Sequence, residues 1–182
     1  LSETLYKNGV NFDFIDESML PSLWKKEFPK AVGESEYKAI VIPRLTSLRQ
    51  STAEFLEAFV ASGGKLVSLT DEILYSGGEE QKKAESARLF KRVFSPAMHV
   101  NTAEEAASAL QETAFMRILP HKNETGELIY RAVRERDTER IFLFICRADK
   151  QGEEYALGGF DFEISGEYKA RLFDTQSGII SD

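Results

Sequence analysis

The clearest apolar run in the chain is Lys38-Ala39-Ile40-Val41-Ile42-Pro43. It is continuous and β-branched, the pattern of a strand covered on both faces in a parallel sheet, and Pro43 ends it. Next comes a helix pattern to about Ser62, with Phe55, Leu56, Phe59 and Val60 on one face. Ser51 is the expected N-cap, with Glu54 completing a capping box. Gly63-Gly64 stops the helix, and Lys65-Leu66-Val67-Ser68-Leu69 reads as the next strand. Residues 38–69 therefore spell β-α-β with short connections, a right-handed parallel crossover.

The flanking segments extend this reading. Leu1 to Asn8 reads as the end of a helix closed by Gly9, and Asn11-Phe12-Asp13-Phe14-Ile15-Asp16 as a short alternating strand. A chain that opens inside a helix, without methionine, predicts a further strand upstream, and hence an unpaired sheet edge or a swapped strand. Residues 17–27 are expected to be helical, with Met19, Leu20, Leu23 and Trp24 apolar and Pro21 in the first turn. Gly77-Gly78 opens a polar loop. A helix follows over 80–94, with Ala87, Phe90, Val93 and Phe94 inward. Met98 to Val100 fits an edge strand. Thr102 and Glu105 form a capping box ahead of Ala103, Ala106, Ala107 and Leu110.

The pattern changes near Pro120. His121 to Glu127 is polar, and no helix signal follows. Leu128 to Arg134, Arg140 to Arg147, Phe160 to Ile164, Tyr168 to Phe173 and Gly178 to Ser181 all read as strands of an antiparallel module. Ile141 to Cys146 is apolar on both faces, which predicts a central strand with Cys146 buried. The expected organisation is an open, mostly parallel α/β domain over residues 1–119 and an antiparallel β segment over 120–182.

Composition removes several functions. The 182 residues carry a net charge of −7, which disfavours a nucleic-acid surface built on excess Lys and Arg. No stretch is long and apolar enough for a membrane span. One cysteine permits no internal disulfide, and the compartment stays open.

Open α/β sheets bind ligands at the carboxyl ends of their strands. Here those ends supply Asp16, Arg44, Thr70 and Asp71 as candidate ligand-binding residues, although Asp and Thr also serve there as caps. No glycine-rich turn opens a helix, so no nucleotide cofactor is expected. Cys146 sits in a late strand rather than on a nucleophile elbow. His99 and His121 are too far apart for a local metal motif. Thirty acidic residues give many chance pairs, so no catalytic carboxylates are assigned. Asn123-Glu124-Thr125 matches the glycosylation triplet.

The order of these features resembles a known family. Asn8 to Asp16 is similar to a G-x-x-F-D-x-I strand, Tyr37 to Pro43 to a Y-K-A-I-V-I-P strand, and Phe59 to Val67 to F-x-x-x-G-G-K-V. These signatures follow one another in the flavodoxin-like, glutamine-amidotransferase-like domain of large α-L-rhamnosidase-like glycoside hydrolases. In the later half, Ile141 to Cys146 resembles an I-Y-F-L-x-N strand, with Cys146 or Arg147 where Asn is usual. Leu172 to Gly178 resembles a strand ending in D-x-x-T-G, with Ser177 in place of Thr. The resemblance covers roughly residues 8–69 and 128–180.

It implies a non-catalytic accessory domain running into a β-sandwich. The expected partner is a catalytic domain of the same parent chain, and homo-oligomerisation is an option, as similar domains of related β-galactosidases contribute to it. No catalytic residue, cofactor or metal site carries over. Two other readings stay open on the residues alone: a stand-alone enzyme or small-molecule-binding protein with its pocket at the strand ends, and an interaction module with an exposed apolar patch around Trp24.

Overall fold

A computed structural model describes residues 1–76, 79–80, 83–120, 128–135, 137–147 and 160–181. The sequence-level loops at Gly77-Gly78 and His121 to Glu127, and the triplet at Asn123, lie outside the described residues.

The chain opens with α1 (Ser2–Lys7) and a single turn, α2 (Leu20–Leu23). A small hairpin, β1 (Ala31–Val32) and β2 (Ser35–Glu36), turns at Gly33. Then come β3 (Ala39–Ile42), β4 (Ser47–Leu48), α3 (Gln50–Ala61) and β5 (Lys65–Ser68). A second small sheet joins β4 to β6 (Tyr75–Ser76) and β7 (Glu79–Glu80). After α4 (Lys83–Phe94), β8 (Met98–His99) and α5 (Ala103–Gln111) complete the α/β part. The rest is strand: β9 (Met116–Pro120), β10 (Leu128–Arg134), β11 (Ile141–Arg147), β12 (Phe160–Ile164), β13 (Leu172–Phe173) and β14 (Ile180–Ser181).

The α/β reading holds. β3, β5 and β8 form a three-stranded parallel sheet in that order, with Val41 opposite Val67 and Val67 opposite Met98. Side chains alternate across it. Ile42 and Leu66 join Phe55, Leu56 and Phe59 of α3 and Val93 and Phe94 of α4 in one core. Val67, Leu69 and Val100 join Leu5 of α1 and Ala106, Ala107 and Leu110 of α5 in another. A sheet buried on both faces needs apolar residues at every position, and that made the sequence run so plain.

The end of α3 shows the coupling of turn chemistry to packing. Gly63 adopts φ +84°, its N–H donates to Val60 O at 2.9 Å, and the Gly64 N–H donates to Phe59 O at 3.0 Å. This pair of bonds is the Schellman C-cap, which needs a left-handed residue that glycine supplies without strain. At the start of α5, Thr102 Oγ1 accepts from the Glu105 N–H at 3.1 Å. Glu105 Oε2 reaches back to the N–H of Asn101, one residue before the cap.

Several expectations are corrected. Residues 11–16 enter no sheet. Their polar side chains are spent elsewhere: Asn11 Nδ2 donates to Ala132 O at 2.7 Å, and Asp13 pairs with Arg131. The helix expected over 17–27 is only the turn at 20–23, with Pro21 in its first turn as expected. Trp24 becomes extended at ψ 138° and bridges Val32, which ends the helix. Ser51 caps nothing, because α3 begins one residue before it with Arg49 at the cap position and no side-chain cap. In α4, Val93 and Phe94 are buried, but Ala87 is exposed and Ser86 takes the inward place. Cys146 is exposed, and β11 pairs only with β10 among the described residues.

The antiparallel part forms a small ribbon, β13 with β14, and two longer ones, β9 with β12 and β10 with β11. The longer two share a core of Met116, Ile118 and Ala132, against which Leu143, Ile145 and Phe160 pack. Segment β9 has no counterpart in the sequence pattern, since Met116-Arg117-Ile118-Leu119 is too short to be distinguished by periodicity.

Candidate functional site

The carboxyl ends of β3, β5 and β8 converge on one edge of the parallel sheet. Past β3 the chain continues as Pro43-Arg44, past β5 as Leu69-Thr70-Asp71, and past β8 as Val100-Asn101. The Val100 N–H donates to Ser68 O at 3.0 Å, which prolongs the ladder beyond β8. Thr70 is 1% exposed. Its hydroxyl donates to Pro43 O at 2.7 Å, and its N–H donates to Ser68 Oγ at 3.1 Å. Arg44 reaches across the edge and donates to Asn101 O at 3.4 Å. Asp71 is exposed beside Thr70.

Three of the four candidates, Arg44, Thr70 and Asp71, are thus brought to one place. Asp16 is not joined to them by any hydrogen bond or ion pair among the described residues. Its carboxylate accepts from the Ser18 N–H at 2.7 Å, and the Ser18 side chain and backbone hold it below the usual carboxylate range. This is an aspartate turn of the kind that fixes local backbone. Glu17, its neighbour, accepts from the Arg49 N–H at 3.4 Å and so meets the start of α3.

The strand-end groups are directed at backbone. Thr70 and Arg44 satisfy carbonyls, and Glu105 and Thr102 satisfy the amides around α5. Among the described residues, each carboxylate whose acidity is clearly moved is moved down: Glu3, Asp13, Asp16, Glu135 and Asp174. A general acid would need the opposite shift. His99 is exposed, but its Nε2 is bonded to Phe94 O at 2.9 Å and its ring lies beside Phe90, so it serves the end of α4. No group of three metal-ligating side chains occurs among the described residues.

Sequence reasoning missed Asn101 and Ser68, and it missed a charged cluster away from the strand ends. Asp13 accepts two bonds from Arg131, at 2.6 and 3.2 Å, and one from the Tyr37 hydroxyl at 3.0 Å. Tyr130 donates to Gly9 O close by. The only advance signal was the polar alternation in 11–16, which places Asp13 on the same face as Asn11.

The Asp13 carboxyl is held down chiefly by the Arg131 hydrogen bond, with partial burial opposing it and Tyr37 helping. A depressed folded pKa adds stability above the unfolded pKa, near 3.9, and that stability is lost as pH falls through the folded value. Thermal melts are therefore expected to show Tm falling more steeply below about pH 4 in the wild type than in Asp13→Asn. Equal slopes would show that the pair adds nothing to folding.

No protein-family model matches the chain, and no curated protein or solved structure matches it.

Proposed function

We propose that the chain is a non-catalytic accessory piece of a larger glycoside hydrolase, a module whose surfaces are covered by the rest of its parent. The carrying observation is the apolar surface of the β part. On the outer face of β11, Phe142 and Phe144 stand in water, Phe144 at 63% exposure, beside Val133 of β10. The β13–β14 hairpin leaves Leu172 at 70%, with Phe173, Ile179 and Ile180 also exposed. No residue from 165 to 181 is buried. A two-stranded hairpin is marginal by itself in water, and exposed large apolar side chains grouped on one strand face or one hairpin mark an interface.

The polar groups support the same reading. At the strand ends they bond to backbone rather than converge on an open space. The sugar connection rests on the ordered signatures at 8–16, 37–43, 59–67, 141–146 and 172–178. The patch expected around Trp24 is not the one favoured, because that ring is partly buried edge-on against Phe55 at 5.4 Å.

The test is an aryl-glycoside assay run beside binding of a hydrophobic dye. The chain should turn over no aryl-glycoside, and its dye binding should fall on Phe144→Ser combined with Leu172→Ser. Turnover abolished by a single carboxylate substitution would overturn the proposal. So would the absence of dye binding.

A further inference from the structure

The parallel sheet has an open side, and its geometry specifies what closes it. In the β3–β5 ladder, the Lys65 N–H donates to Lys38 O and the Leu69 N–H donates to Ile42 O. With Ala39 opposite Lys65 and Val41 opposite Val67, the groups of Lys38, Ile40 and Ile42 face β5. The N–H and C=O groups of Ala39 and Val41 therefore point away from it. No hydrogen bond from a described residue reaches either pair.

This is not an ordinary solvent-facing edge. Ala39 and Val41 are half-buried, and their side chains pack against the core that holds Leu5, against which Val10 and Phe12 also pack. On the opposite face, Ile40 packs against the core that holds Leu20 and Phe55, as does Trp24. The edge is roofed on both sides. β3 itself carries no charge or bulge, and its proline lies beyond its end.

Connectivity gives the direction of the missing neighbour. From β3 to β5 to β8 the chain steps one way across the sheet, and α3 and α4 lie on the Phe59 face. Parallel crossovers share one hand, so a step the other way must carry its helix on the opposite face. Helix α1 lies on that opposite face, with Leu5 packed beside Val67 and Leu110. After α1 comes the 11–16 segment, which has strand pattern but no strand partner and is tied near the same edge by Tyr37 to Asp13.

We propose that the β3 edge accepts a fourth parallel strand, supplied by polypeptide leading into α1 and lying between β3 and residues 11–16. Its chemistry follows from the roofing: both faces are apolar, so it is an unbroken β-branched strand of about four to six residues. Running parallel, it brings its own carboxyl end to the side of Pro43 and Arg44. The proposal is independent of the sugar connection, and the glycoside assay does not bear on it.

The experiment is amide hydrogen exchange, read by NMR on the 182-residue chain and on two versions extended before Leu1. One extension is Lys-Val-Ile-Val-Val with a Gly-Asp-Gly link. The other has proline at alternate positions, which cannot donate to a ladder. In the unextended chain, Ile40 and Ile42 should exchange at least ~100-fold more slowly than Ala39 and Val41. The apolar extension should slow Ala39 and Val41 by at least ~10-fold, and the proline extension should not. Three results would overturn the proposal: equal protection of all four amides in the unextended monomer, protection of Ala39 and Val41 only in a dimer, which would make the occupant a second copy, and equal effects of the two extensions.

Discussion

Phe59→Ala is expected to destabilise the fold by about 3–5 kcal/mol, and Gly64→Ala by about 1–3 kcal/mol, yet the two together should cost less than their sum. Phe59 is fully buried at the centre of the larger core, 6.0 Å from the Phe55 ring. Its ring lies against the backbone of Gly64. A Cβ added there would stand 2.2 Å from Phe59 Cε1 and 2.4 Å from Cδ1, inside any tolerable contact. The ring has no solvent to move into, so Gly64→Ala forces a shift in the core or in the C-cap. Once Phe59 is alanine the obstruction is gone. Gly64→Ala then costs nothing and regains part of the roughly 0.4–1 kcal/mol that losing a glycine takes from the unfolded chain. Denaturant unfolding of the four proteins should show a coupling of about 1–3 kcal/mol. Additive costs would show that the ring and the Gly64 backbone do not compete for space. Gly63→Ala is a useful contrast, because its φ of +84° penalises any side chain whether or not Phe59 is present.

That site also shows what the sequence made legible. Gly63-Gly64 announced the end of α3, and the β-branched runs announced β3 and β5, because these are local consequences of backbone freedom and two-sided burial. Why two glycines stand there was not legible: one serves the left-handed turn, the other the approach to a ring five residues back. The failures share a cause. The alternation in 11–16 records an ability to be a strand, but a strand exists only with a partner, and none pairs with it here. Ser51 and Glu54 have the spacing of a capping box, but β4 delivers the chain to α3 two residues early, with Arg49 at the cap position. Cys146 and its neighbours Phe142 and Phe144 lie in an apolar run whose pattern reveals no difference between a covered face and an exposed one. At the strand ends, position was legible and role was not. Topology put Arg44, Thr70 and Asp71 together, while only coordinates show Thr70 and Arg44 directed at the carbonyls of Pro43 and Asn101.

Thr70→Val separates those roles. Valine keeps the volume and removes the donor. The side chain of residue 70, a position 1% exposed, then no longer donates to the Pro43 carbonyl at 2.7 Å, at a cost of about 1–3 kcal/mol. The Thr70 N–H keeps its bond to Ser68 Oγ, so the loss is confined to the hydroxyl. Thr70→Ser retains the hydroxyl and gives up one methyl group, worth about 0.8 kcal/mol at most. Chemical denaturation should therefore rank the proteins wild type, Thr70→Ser, Thr70→Val in falling stability. A threonine held in readiness for a ligand would give a different order. Its hydroxyl would be idle in the free protein, so valine would match or exceed the wild type, as removal of an unpartnered buried hydroxyl generally does. The predicted order follows from one bond, by which the end of β5 holds the end of β3 in place; the opposite order would return Thr70 to the list of binding residues and reopen the strand ends as a site.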